Sequence, residues 1–164
     1  MRWSAIFLAL WASQAISGET LDGDRSILEA CLANATPWKE ADACIDVIDA
    51  PCQAAGKNST FEMTTCIGRE RLAWEQVLDE ALIELHSKAM EIDARSPVAD
   101  GRVGVDASLT ASQAAWIAFR KARCFYEAHP STGGTVLLLY SSACFMRMTA
   151  ERAIHLDRRV RYGD

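Results

Sequence analysis

The sequence predicts an all-α fold, a small disulfide-stapled helical bundle built on an antiparallel helical hairpin. Three observations carry that expectation. Apolar residues recur at three- and four-residue steps over long stretches, with little strict alternation. Helix-start and helix-stop signals divide the chain at regular places. Six cysteines, at positions 31, 44, 52, 66, 124 and 144, all follow an apolar N-terminal segment. An even count in that setting reads as a disulfide framework formed in an oxidising compartment.

Taken in order, residues 1–17 read as a cleavable signal peptide. Arg2 supplies the positive start, Ile6 to Ala15 the apolar run, and Ala15-Ile16-Ser17 the small residues before a cut ahead of Gly18. The apolar run falls short of the about 20 residues a spanning helix needs. A short first helix is expected from Ser26 to Asn34, with Asp24 as its N-cap candidate. Thr36-Pro37 combines a cap with a first-turn proline and opens a second helix to about Asp49. Ala50-Pro51 ends it, because the residue before proline resists the helical conformation. Residues 18–50 then form an N-terminal helical hairpin extension, and 51–160 the main helical domain.

Ser59-Thr60-Phe61-Glu62 is a capping box that starts the longest helix, to about Ala94. Trp74, Val77, Leu78, Ala81, Leu82 and Leu85 mark its apolar stripe. Ser96 to Ala107 contains Pro97, Gly101 and Gly104 and reads as an exposed connector. Thr110-Ala111-Ser112-Gln113 is a second capping box, opening a helix to about Ala128. His129-Pro130 to Gly134 breaks the chain, and a last helix runs from near Val136 to Arg159. Arg158 and Arg159 suit its C-terminal dipole.

Cysteine pairing is constrained by geometry. Two cysteines 13 residues apart on one straight helix would lie about 20 Å apart, too far to bond. A turn lies between the members of each sequential pair, which favours Cys31–Cys44, Cys52–Cys66 and Cys124–Cys144. Cys31–Cys52 with Cys44–Cys66 is the main alternative, since Pro51 offers another turn. Each closed loop contributes roughly 3 kcal/mol by restricting the unfolded chain.

Removing residues 1–17 takes away Arg2 and no acid, leaving 147 residues with 16 Lys and Arg against 22 Asp and Glu, a net charge of −6. An acidic surface argues against nucleic acid, whose phosphates call for clustered basic residues. It is compatible with a basic protein partner. No Cys-x-x-Cys or Cys-x-x-Cys-His is present, so the spacing points to no metal site, thiol exchange or haem, and no cofactor is expected. His86, His129 and His155 share no metal-ligand spacing. Glu80 with Glu84, and Glu75 with Asp79, are carboxylate pairs at helical steps, but they alternate with the apolar stripe and read as a solvated face. Trp116 and Arg120 lie one turn apart, placing a guanidinium beside an indole. No catalytic residue is assigned. Asn34-Ala35-Thr36 and Asn58-Ser59-Thr60 fit the glycosylation sequon.

The order Ser112-Gln113, Trp116, Arg120, Cys124, Gly133-Gly134, Cys144, Thr149 and Arg152 resembles the LprI-like family of small secreted bacterial helical domains, named after a lysozyme-inhibitor lipoprotein. The resemblance covers about Cys52 to Leu156. Family members usually read Leu-Asn-x-x-Tyr in the preceding helix, where this chain has Leu78-Asp79 and Leu82. The lipid-anchor cysteine of the namesake is also missing near the cleavage point. The resemblance implies a non-enzymatic periplasmic or secreted protein-binding domain, with a basic lysozyme as the partner and no membrane insertion after signal cleavage. A structural or envelope-stress module is the alternative. An envelope hydrolase would need a pocket joining Glu or His residues from different helices. Because the implied family is bacterial, the sequons carry little weight.

Overall fold

In a computed structural model, the described residues are 5–35, 41–56, 59–96, 103–129 and 134–163, with 5–19 described by backbone alone. They form α1 (Ala5–Asn34), a short 3-10 turn (Ala41–Cys44), α2 (Asp49–Ala55), α3 (Thr60–Arg95), α4 (Val105–Ala128) and α5 (Thr135–Tyr162). No strand occurs among these residues. The all-α expectation is met, and the three disulfides join Cys31–Cys44, Cys52–Cys66 and Cys124–Cys144. The alternative pairing is not formed.

The central feature is α3 packed along α5. Trp74, Val77, Leu78 and Ala81 of α3 are buried against Met146, Ala150, Ala153, Ile154 and Leu156 of α5. Alanines at 73, 81, 150 and 153 let two long helices approach closely, while Trp74 fills the space between them. α4 lies antiparallel to both, as its cross-links show. His86 meets Asp106 and Asp93 meets Val105 on the α3 side, while Arg120 meets Thr149 and Arg152 meets Gln113 on the α5 side. Leu28 and Leu32 of α1, with Cys44 and Ile48, join the same core as Trp74.

Several boundaries differ from expectation, each for a local reason. α1 does not begin near Ser26. It runs unbroken from Ala5, because the apolar leader is itself helix-forming and Gly18 and Gly23, at about 1 kcal/mol each, do not stop it. Asp24 is therefore no N-cap. It is buried inside α1, where its two oxygens accept from Arg69 Nε (2.9 Å) and Nη2 (2.6 Å). Thr36-Pro37 lies outside the described residues. The helix expected to reach Asp49 is instead a 3-10 turn, and α2 begins where that helix was to end. Pro51 stands in the first turn of α2, where its missing N–H would have had no intrahelical partner.

The capping box at Ser59 is present, with Ser59 Oγ accepting from Glu62 N and the Glu62 side chain accepting from Ser59 N. The second box is not. α4 starts at Val105, five residues before Thr110, and Thr110 lies inside the helix. Its cap comes from another helix: Asp93 of α3 accepts from Val105 N (2.8 Å) and Asp106 N (3.0 Å). Gly104 is the N-cap residue because Asp93 crowds it. A Cβ there would lie 2.8 Å from Asp93 Oδ2. Gly134 opens α5 at φ 77°, a left-handed conformation suited to glycine, while Gly133 and Pro130 lie outside the described residues.

Candidate functional site

The side chains singled out between Ser112 and Arg152 converge where α4 crosses α5. Trp116, half-buried, is the centre. The Arg120 guanidinium carbon lies 4.5 Å from the indole centroid, and that of Arg152 lies 5.8 Å away. Arg120 Nη1 donates to Thr149 Oγ1 (2.7 Å), and Thr149, fully buried, donates in turn to Phe145 O (2.7 Å). Arg152 donates through Nε to Gln113 Oε1 (3.2 Å) and through Nη2 to Ser112 Oγ (3.2 Å). Six of the eight motif residues other than cysteine thus form one network. Gly134 serves the hairpin turn, and Gly133 is outside the described residues.

The electrostatics of this network are unusual. Neither arginine forms an ion pair among the described residues; their neutral partners are hydroxyl, amide and ring. Burial holds both below the ordinary guanidinium range. Arg120 is pulled back up by Glu75 and pushed down by Arg71, and Arg152 is pushed down further by Arg159. Arg120 Nε is buried without a hydrogen-bond partner. Beside the network is a cleft of about 180 Å³ that includes Glu75, Asp79, Gln113 and Ile117 in its walls. Phe145, which the sequence reading did not single out, also faces Arg120, at 5.5 Å, and stacks edge-on against Phe125 at 6.1 Å.

The other candidates stay apart. His86 shares a 2.6 Å hydrogen bond with Asp106, His129 ends α4, and His155 lies on α5. His155 is held below the ordinary histidine range by burial, then by Arg152, Arg159 and Arg158. Glu80 and Glu84 are solvent-facing and pair with Arg25 and Lys88, and Glu75 pairs with Arg71. No group of three or more His, Cys, Asp or Glu among the described residues is arranged to hold a metal. Asn34 donates to Ala30 O at the end of α1, and Asn58 is outside the described residues.

One buried carboxylate escaped the sequence reading. Glu70, fully buried, accepts from the backbone N–H of Asp46 (2.7 Å), Ile48 (3.0 Å) and Asp49 (2.7 Å), and from Trp74 Nε1 (3.1 Å). It stabilises the start of α2 and the turn in which Asp46 adopts φ 75°. Burial raises the pKa of the Asp49 carboxyl, a hydrogen bond from Gln53 lowers it, and the charges of Glu70 and Asp46 raise it further. The signal was available, since Glu70 lies four residues before Trp74 on the apolar stripe. Every acceptor position of Glu70 is filled by this frame, so its role is to hold the fold.

A family model described as Lysozyme inhibitor LprI matches residues 52–156. The chain belongs to that family. The match contains the whole Trp116–Arg120–Arg152 network and two of the three disulfides, and leaves α1 and the Cys31–Cys44 turn outside it. A curated relative, an uncharacterized 17.7 kDa protein in the puhA 5' region of Rhodobacter capsulatus, is 25% identical over 130 residues, covering 77% of this chain and 80% of the relative. No solved structure matches the chain.

Proposed function

We propose that this LprI-family chain is a non-enzymatic protein-binding module, exported through residues 1–17 to the periplasm or the exterior, that inhibits a lysozyme. The single observation carrying this reading is the family match over residues 52–156. The chemistry is consistent with it. Three disulfides suit an oxidising compartment. No helix among the described residues is long and apolar enough to cross a membrane. The exported chain's acidic balance would speed encounter with a basic enzyme. Inhibition would act by covering the enzyme's cleft, with no bond made or broken by the inhibitor. The connector and the hairpin turn expected from the sequence are the segments we assign to such contact; residues 97–102 and 130–133 of them lie outside the described residues.

The test is direct. The oxidised chain from Gly18 onward is titrated against several lysozyme classes in a cell-wall lysis assay. The expected result is stoichiometric inhibition of at least one class at micromolar concentration, weakened by added salt. No inhibition of any class, together with capture of other envelope proteins after crosslinking, would refute it in favour of a structural role in the envelope.

A further inference from the structure

A concavity separate from the Trp116 cleft is about twice its volume. It is a half-open groove of about 390 Å³ where the C-terminal parts of α3 and α5 meet the start of α4. That volume falls within the range of small-molecule sites. Its floor is apolar: Leu85 and Ile92 come from α3, Val105 and Leu109 from α4, and Leu156 from α5. Ile92 and Val105 remain more than 40% exposed. Apolar side chains left open in a concavity have unfilled hydrophobic contact to make.

The rim has the opposite character to the rest of this acidic chain. Lys88, Arg152, His155 and Arg159 all border the groove, and among the described residues no Asp or Glu does. Of the neighbouring carboxylates, Asp93 caps α4, Asp106 holds His86 and Asp157 pairs with Arg161, while Glu84 pairs with Lys88 and offsets that one rim charge. Arg159 is solvent-exposed and its side chain makes no ion pair among the described residues. Arg152 is oriented by Ser112 and Gln113, so one cation is fixed and another is free to move onto a ligand. A long apolar floor beneath a cationic rim is complementary to a molecule with a hydrocarbon body and one negative end.

We propose that this groove binds a single-chain amphiphile with an anionic head, a long-chain carboxylate, its chain on Leu85, Ile92, Leu109 and Leu156 and its head at Arg152 and Arg159. The proposal does not rest on lysozyme inhibition, and either property can fail without the other. It also gives Ser112 and Arg152 a second role, since both border the groove while belonging to the Trp116 network.

Calorimetric titration of the oxidised chain with dodecanoate, kept below its micellar concentration, provides the test. Saturable 1:1 binding is expected, with dodecyltrimethylammonium and dodecylphosphocholine each at least about tenfold weaker, a difference of about 1.4 kcal/mol. Two variants address the two halves of the site. Arg159→Gln removes the unpaired charge from the rim and should weaken dodecanoate about tenfold. Ser108→Trp projects a ring from the exposed start of α4 into the groove and should abolish binding without altering charge. Circular dichroism establishes that each variant remains helical. Absence of dodecanoate binding, equal binding of the cationic or zwitterionic amphiphile, or full retention of affinity in both variants would overturn the proposal.

Discussion

Glu70→Gln is the most revealing single change, because it alters charge and one atom while keeping size. In the native chain Oε1 accepts from Asp46 N and Trp74 Nε1, and Oε2 accepts from Ile48 N and Asp49 N. A carboxamide keeps one acceptor oxygen. Its NH2 must then face two N–H donors in a place closed to water. Hydrogen bonds to a charged group contribute about 1.5–3 kcal/mol net, and a stranded buried group costs about 1–3 kcal/mol. Two stranded donors, plus two bonds reduced to neutral strength, amount to roughly 3–5 kcal/mol. Against a typical total of about 5–15 kcal/mol, that is a large fraction. Urea unfolding of the oxidised protein, followed by tryptophan fluorescence and circular dichroism, measures it. Cys31–Cys44 and Cys52–Cys66 still bracket the region, so the variant should fold at low denaturant. A loss below about 1 kcal/mol would refute the view that this carboxylate holds the start of α2 and the Asp46 turn.

Removing the borrowed cap with Asp93→Ala should cost about 1 kcal/mol. Gly104→Ala, whose Cβ would displace the same carboxylate, should cost a similar amount, and in a denaturation cycle the two should be clearly less than additive. A cycle on Trp116→Leu and Arg120→Gln should show a coupling of about 0.5–2 kcal/mol; simple additivity would mean that the stacked pair contributes nothing as a pair. The pKa of His155 is lowered in the fold, so below its ordinary value of 6.5 the unfolded chain takes up a proton that the folded chain resists. Stability should therefore fall as pH drops from about 7 through the lowered value, and His155→Gln should flatten that part of a melting-temperature profile. The effect is small because the ring reaches solvent, and an unchanged profile would remove His155 as its source. Replacing Cys124 and Cys144 by serine should cost about 3 kcal/mol and raise amide exchange in α4 before α3; uniform exchange would refute the preferential loosening.

The parts of the fold legible in sequence were those set by local chemistry. The Trp74–Leu85 stripe, the Ser59–Glu62 box and the break before Gly134 each work through residues a few positions apart. The three cysteine pairs were legible for the same reason, since each spans one turn. What escaped the reading depends on distant residues. Thr110–Gln113 has the spelling of a cap, but the N–H groups at the true start of the helix are taken by Asp93 of α3. Asp24 has the spelling of an N-cap, but Arg69, 45 residues away, gives it a buried partner. Pro51 terminates a helix only if one precedes it; here it begins one. At the candidate site, the Trp116–Arg120 pair followed from their four-residue spacing. The approach of Arg152 to the other side of the indole did not, because it depends on the register between α4 and α5.

That register bears on what the family motif does. α4 is the least buried of the long helices, and only Cys124 and Ala128 of its 24 residues are fully enclosed. Apolar burial therefore contributes less to docking α4 than it does for α3 or α5. The motif supplies the difference: a disulfide near the hairpin, a stacked arginine at its middle, and an Arg152 fork toward its start. Arginines without carboxylate partners suit this task, since a planar guanidinium can lie on a ring while its N–H groups reach neutral oxygens on either helix. The same arrangement leaves Phe119 and Tyr126 of α4 exposed, beside the Arg123–Glu127 pair. A helix secured by a few directional contacts can keep an exposed surface that a helix buried by apolar packing cannot. The motif thus docks α4 with few of its residues enclosed in the core.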